Sequence, residues 1–232
     1  MTKVSPDMSQ LRRLEPFRQG IKVKPKNLEQ TFVMDALLDE DISLVSVTGC
    51  AGTGKTIISL AIGYYLVEKL KAYSKLLVSR PVFPMGRDIG YLPGGINSKL
   101  DPWMQPIYDA LERIIDKKGV DGRQVVFQSS GIYVEPLTYI RGRSIHDQFV
   151  IIDESQNLSP LELKTIITRA GEHTKIVLTG DTSQIDNPYF DERSNGLSVI
   201  TRAFIESPVA ANIVMHRGVR SKLSQEATER LQ

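Results

Sequence analysis

GCAGTGKT, residues 49–56, is the stretch that decides the fold. It sets three glycines, a lysine and a threonine into eight positions, directly after the apolar run ISLVSV (42–47). The pattern G-x-x-x-x-G-K-[ST] is matched in full, between a segment that reads as a strand and one that reads as a helix. Glycines permit positive φ and remove side chains, so successive backbone N–H groups can curl around an anion. A helix starting near Lys55 adds free N–H groups and the positive end of its dipole. Gly49, Cys50, Ala51, Gly52, Thr53, Gly54, Lys55 and Thr56 are therefore the candidate nucleotide-binding residues. Lys55 would meet the β- and γ-phosphates, and the Thr56 hydroxyl would hold Mg²⁺. Cys50, the one cysteine of the chain, reads as a small residue in a tight turn rather than a redox group.

Outward from the loop, apolar periodicity alternates between strand and helix. NLEQTFVMDALLD (27–39) has helical spacing with Asn27 as N-cap, and residues 42–48 form a short β-branched strand. KTIISLAIGYYLVEKLKAY (55–73) reads as a buried helix of five turns. Strands are expected at 75–80, 132–137, 149–154, 175–180 and 211–216. Helices are expected at 99–116, 159–170, 195–206 and 221–232, with Pro106 able to kink the first and Ser159–Pro160 starting the second. This order implies βαβ units: an α/β domain with a mainly parallel sheet covered by helices on both faces. Residues 1–20 are polar and aperiodic and read as a flexible arm or linker remnant; 21–232 form one domain. The Gly/Pro-rich connection 81–98 is long enough to be functional.

Composition narrows the classes. The chain has 232 residues, 41% hydrophobic and 24% charged, as soluble globular proteins have. No apolar run reaches the roughly 20 residues of a membrane helix, and the N-terminus has no apolar signal core. A single cysteine excludes an intrachain disulfide and fits a cytoplasmic location. A net charge of +2 leaves a nucleic-acid site only as a local patch.

A phosphate loop needs an acid to complete its metal site, and FVIIDE (149–154) supplies one at the exit of an apolar strand. Asp153 would bind Mg²⁺, and Glu154 would orient or deprotonate the attacking water. KIVLTGDTSQ (175–184) ends a further strand in a polar loop, where Asp181 and Gln184 lie beside the ligand crevice of an open parallel sheet. Gln184 there is a candidate sensor of the γ-phosphate.

Read together, these motifs resemble those of the PhoH family of P-loop ATPases, related to the RecA-like core of superfamily 1 helicases. NLEQ (27–30) looks like the helicase Q motif, VSRPVFPMGRDIGYLPG (78–94) like the family's RP…G…GFLPG segment, and DPWMQPIYDAL (101–111) like its DP…P.YDAL. EPLTYIRGRSIHD (135–147), IIDESQNLSP (151–160) and LTGDTSQID (178–186) match its RGR, DE.QN..P and TGD.QID stretches. The resemblance implies a single RecA-like P-loop NTPase domain, with ATP and Mg²⁺ as cofactors and Gln30 on the adenine. It implies contact with single-stranded RNA, DNA not being excluded, through Arg80, Arg87, Arg141 and Arg143, with Tyr91, Trp103 and Tyr139 available to stack. For Arg80, an ion pair with an acid of the ATP site is the alternative. The ending HRGVRSKLSQEA (216–227) is closest to the long family members, in which a PIN ribonuclease domain precedes the ATPase; such a domain would act here in cis or in trans. With one core only, an arginine finger would come from a neighbouring subunit of a homo-hexamer, Arg220 being the first choice and Arg217 the second. Two functions compete: a helicase-like ATP hydrolase on RNA, and an ATP-binding oligomeric module that gates a nuclease without unwinding. Glu154 favours the first, since a pure binder has no need of it.

Overall fold

The computed structural model describes residues 2–4, 11–14, 18–81, 96–115, 123, 126, 131–137, 140, 144–218 and 226. Arg87, Tyr91, Tyr139, Arg141, Arg143, Arg220 and all but Glu226 of the expected last helix lie outside them. Two short strands, β1 (Thr2–Val4) and β2 (Leu11–Arg13), pair antiparallel within the stretch expected as an arm.

The body is a six-stranded sheet built from β3 (Leu44–Gly49), β4 (Lys75–Ser79), β5 (Ile132–Val134), β6 (Gln148–Ile152), β7 (Lys175–Gly180) and β8 (Ala210–Met215). Their order is β5-β4-β6-β7-β3-β8, and every neighbouring pair is parallel. The helices are α1 (Leu28–Leu38), α2 (Lys55–Tyr64), α3 (Ile96–Ile115), α4 (Pro160–Ile167) and α5 (Gly196–Ala203).

Strand alternation divides the core between the two faces. Val45, Val47, Leu76, Val78, Phe149, Ile151 and Val177 pack with the apolar sides of α1, α2 and α3. Their neighbours Leu44, Leu77, Val150, Ile152, Ile176 and Leu178 pack with Leu163 and Ile166 of α4 and Leu197 and Ile200 of α5. A strand buried on both faces favours a near-continuous apolar run, which β6 shows from Phe149 to Ile152, whereas β3 carries Ser46 between its valines and Thr48 after them.

Local signals set most boundaries. Asn27 caps α1 by accepting from Gln30 N. Ser159 and Glu162 form a reciprocal capping box at α4, with Pro160 in its first turn. Two expectations need correction. The helix expected over 55–73 is α-helical only to Tyr64; Tyr65–Lys69 form a π-helical turn, and Lys71 takes φ 55°, which ends the element. The reason is tertiary: the following backbone turns back, Ala72 N donating to Leu66 O at 2.8 Å, to enter β4. The helix expected from 99 starts at Ile96, which shortens the preceding connection, and it runs on past both Pro102 and Pro106.

Candidate active site

The parallel register lines up the functional residues along the carboxyl edge of the sheet. From one side to the other stand Arg80 after β4, Asp153 and Glu154 after β6, Asp181 after β7, and the glycine loop after β3. Neighbouring strands lie about 4.8 Å apart, so the strand leading to Arg80 is roughly 14 Å from the strand leading to the loop.

The loop needs its glycines for different reasons. A Cβ on Gly49 would sit 2.2 Å from Met215 O of the adjoining strand, so β8 closes on β3 only with glycine there. Gly52 and Gly54 take φ 81° and 98°, left-handed values that favour glycine, before α2 begins. Thr53 is buried and its hydroxyl donates to Cys50 O at 2.9 Å, bracing the turn from within. Lys55 Nζ donates to Gly49 O at 2.5 Å and to Cys50 O at 2.9 Å. Burial pulls the Lys55 ammonium below the ordinary lysine range; the carboxylates of Asp181, Glu154 and Asp153 work against that shift.

The acid pair sits where the sequence placed it. Thr56 Oγ1 donates to Asp153 Oδ1 at 2.9 Å, joining loop and acid across 97 positions of chain. Thr179 Oγ1, from the middle strand β7, donates to the same oxygen at 2.5 Å. Asp153 is only 3% exposed, so two hydroxyl donors hold one of its oxygens in a fixed place. Glu154 takes φ 53°, a left-handed conformation that turns the chain into the 3₁₀ turn Ser155–Asn157. Its Oε2 accepts from Gln156 Nε2 at 2.6 Å, and its Oε1 lies 3.4 Å from Arg80 Nη2. Arg80 Nη1 also lies 3.8 Å from Asp153 Oδ2. The ion pair offered as the alternative for Arg80 is therefore present.

Gln156 was quoted within a motif but given no role, and the structure makes it a hub. Its Nε2 also donates to Gln184 O at 2.9 Å, and its Oε1 accepts from Asp181 N at 3.2 Å. The signal that would have found it is a polar side chain two positions beyond the strand-end glutamate, on a tight turn. Gln184 itself is exposed and is not among the residues lining the cleft; it is joined to the site through its backbone. Asp181 is buried, its Oδ1 accepting from Ser183 N and Oγ, while its Oδ2 has no hydrogen-bond partner among the described residues.

An open cleft of about 660 Å³ runs over this edge, reached by Ala51, Gly52, Gly54, Lys55 and Thr56 from the loop and by Arg80, Asp153 and Glu154 beyond it. Val23, Lys24 and Lys26 border it before α1, and Pro106, Asp109, Ala110 and Arg113 of α3 border it opposite; the sequence had given none of them a place in the site, although Pro106, Asp109 and Ala110 fall in the motif quoted over 101–111. Gln30 also lines it, yet its amide is engaged with backbone: Oε1 accepts from Lys26 N at 2.7 Å and Nε2 donates to Thr53 O at 2.9 Å. Trp103 is half-buried on α3. Arg217 lies where β8 leaves the sheet, its backbone N–H and that of His216 donating to Glu29 at 3.1 and 3.0 Å.

Comparison with known proteins agrees with this geometry. The family model described as PhoH-like protein matches residues 22–232. Protein PhoH2 of Bacillus subtilis (strain 168) is 50% identical over 210 residues, covering 90% of this chain and 48% of the relative. Protein PhoH2 of Thermobispora bispora is 36% identical over 231 residues, covering 99% of this chain and 52% of the relative. The chain thus spans about half the length of these relatives. Among solved structures, the HK97 bacteriophage large terminase superposes with a TM-score of 0.50 at 16% identity, covering 97% of this chain and 44% of the terminase, a likeness of fold alone. With a RecA-like parallel sheet, a complete phosphate loop and the family's ordered motifs in place, the chain belongs to the PhoH family.

Proposed function

We propose that this chain is a Mg²⁺-dependent ATP hydrolase acting on single-stranded RNA, the motor of a PhoH-type protein. The observation that carries the reading is the 2.9 Å hydrogen bond from Thr56 to Asp153, which brings the loop threonine and the strand-end carboxylate to one point. A hydroxyl and a carboxylate oxygen are the hard donors that Mg²⁺ takes, so these residues fit the ion. Bound there, the ion would supply positive charge against the phosphate oxygens.

The chain's own groups would do the rest. The amides of the loop and Lys55 hold the phosphates, Lys55 exchanging its loop carbonyls for phosphate oxygens. Glu154 orients the attacking water and accepts its proton, held in place by Gln156. Gln184 reports the γ-phosphate through the same glutamine. Gln30 braces the loop through Thr53 and presents its remaining amide valences to adenine. Arg80, Arg87, Arg141 and Arg143 meet the RNA backbone. Arg220 of a neighbouring subunit reaches the transferring phosphoryl group in a homo-hexamer. A PIN ribonuclease domain, in cis or in trans, would use the remodelled strand, and the assembly would work in the cytoplasm. No helix among the described residues is long and apolar enough to cross a membrane.

One observation favours the gating module as a second reading: Arg80 stands against Glu154, an arrangement suited to slow turnover. Steady-state ATP hydrolysis with and without single-stranded RNA separates the two. Strong stimulation, lost with EDTA and in Lys55→Ala, supports the motor. A slow rate unchanged by saturating RNA supports the gating module.

A further inference from the structure

We propose that Arg80 is a positioning residue that restrains Glu154, and that a phosphodiester of the bound strand releases the carboxylate by taking the guanidinium. The inference rests on the reading of Glu154 as the water-orienting base, and it adds how that base is controlled.

The clamp follows from strand register. Ser79 of β4 lies opposite Ile152 of β6, and Asp153 N donates to Ser79 O at 2.8 Å, so the ladder continues one step past the strands. In that register Arg80 falls opposite Asp153, and Glu154, one residue further on, comes within 3.4 Å of Arg80 Nη2. The left-handed φ of Glu154 turns its side chain out of the strand direction. Its two oxygens are then held unequally. The bond from Gln156 is short, 2.6 Å, and Gln156 is fixed in turn by Asp181 N and Gln184 O. The Arg80 contact is 3.4 Å, and the second contact, to Asp153, is 3.8 Å. A strong charge-assisted bond measures about 2.7–2.9 Å. Glu154 therefore has a firm neutral partner and a loose cationic one.

That asymmetry gives the arginine an exchangeable place. A guanidinium pairs bidentately with phosphate, a geometry that neither long contact to the acids provides. Arg80 is partly exposed at 22% and reaches the cleft from the side away from the loop, three strands over. A phosphodiester arriving there meets the guanidinium without crossing the nucleotide's phosphates. When Arg80 swings to it, Glu154 Oε1 is freed to accept from water while Gln156 keeps Oε2 where it was.

The test is steady-state ATP hydrolysis by the whole chain, with and without a single-stranded oligouridylate, in wild type, Arg80→Gln and Arg80→Lys. Binding of a fluorescent ATP analogue and thermal melting serve as controls for nucleotide affinity and fold. Arg80→Gln is expected to raise the RNA-free rate roughly two- to fivefold, the rate equivalent of a partly exposed ion pair. It should also bring the ratio of stimulated to RNA-free rates close to one. Arg80→Lys, a point charge without the fork, should fall between. An RNA-free rate that drops in Arg80→Gln to the level of Glu154→Gln would overturn the clamp and place Arg80 on the terminal phosphate. An unchanged RNA-free rate with intact stimulation would overturn it as well, leaving the RNA-stimulated ATPase standing. A raised rate in a protein that RNA never stimulates would support the restraint on Glu154 and overturn the phosphodiester as its release.

Discussion

At the scale of single residues, Gln156 joins three groups that the chain order keeps apart: the Glu154 carboxylate, Asp181 N and Gln184 O. Asp181 N is buried, so removing its acceptor leaves an unpaired amide in the protein interior, which costs about 1–3 kcal/mol. Gln156→Leu should lower stability by about 2–4 kcal/mol in urea denaturation and slow ATP turnover more than it weakens nucleotide binding. Its effect on turnover is the informative part, because a purely structural glutamine would change the denaturation midpoint alone. Lys55 differs in kind. Its type and place follow from the eight-residue pattern, while its lowered pKa comes from burial that only the folded loop and α2 create.

Among the elements, α1 has no basic residue in its last turn. Its carboxyl end is served from β7, where buried Lys175 donates to Ala36 O at 3.3 Å and to Asp39 O at 2.5 Å. The ammonium answers both the free carbonyls and the negative end of the helix dipole. Lys175→Met keeps most of the apolar stem of the side chain and removes the charge; it should cost about 2–4 kcal/mol, read as a lower urea midpoint with an unchanged slope. At the same amino-terminal edge of the sheet, Asp147 before β6 and His173 before β7 take left-handed φ of 54° and 53°, and Asp147 Oδ1 meets His173 Nδ1 at 2.5 Å. Hydrogen bonding from His173, helped by Ser74, holds the Asp147 carboxyl below the usual range. A depressed carboxyl pKa stabilises above the unfolded value near 3.9 and loses that contribution as pH falls through the folded value. Asp147→Asn should therefore flatten the acid limb of the stability profile below about pH 4, by less than about 1 kcal/mol because both groups are exposed.

For the molecule as a whole, the parallel sheet brings four separated stretches of chain to one edge, so nucleotide binding and global stability are linked. A ligand at one hundred times its dissociation constant stabilises by about 2.7 kcal/mol, or about 5–10 °C in Tm for a domain of this size. ATP with Mg²⁺ should produce that shift, EDTA should reduce it, and Lys55→Ala should abolish it while melting cooperatively by itself. A wild-type Tm indifferent to ATP would count against the cleft as a nucleotide site.

The sequence by itself determined the fold class, because strands buried on both faces are mostly apolar and three helix starts carried their signals: Asn27, the glycine loop, Ser159 with Pro160. It also determined the loop and its acids, since each of those positions admits few residue types. What it left open was whatever depends on strand order, because β4, β6, β7 and β3 are adjacent in space and not in that order along the chain. Only the tertiary structure turned the helix over 55–73 into a π-helical turn so that the chain could re-enter the sheet. Only it engaged the amide of Gln30 with the loop backbone, left Gln184 outside the cleft, and set Arg80 against Glu154. The physical reason is the same in each case: a residue's type is fixed by its local conformation, but its partner is fixed by which strand lies next to its own.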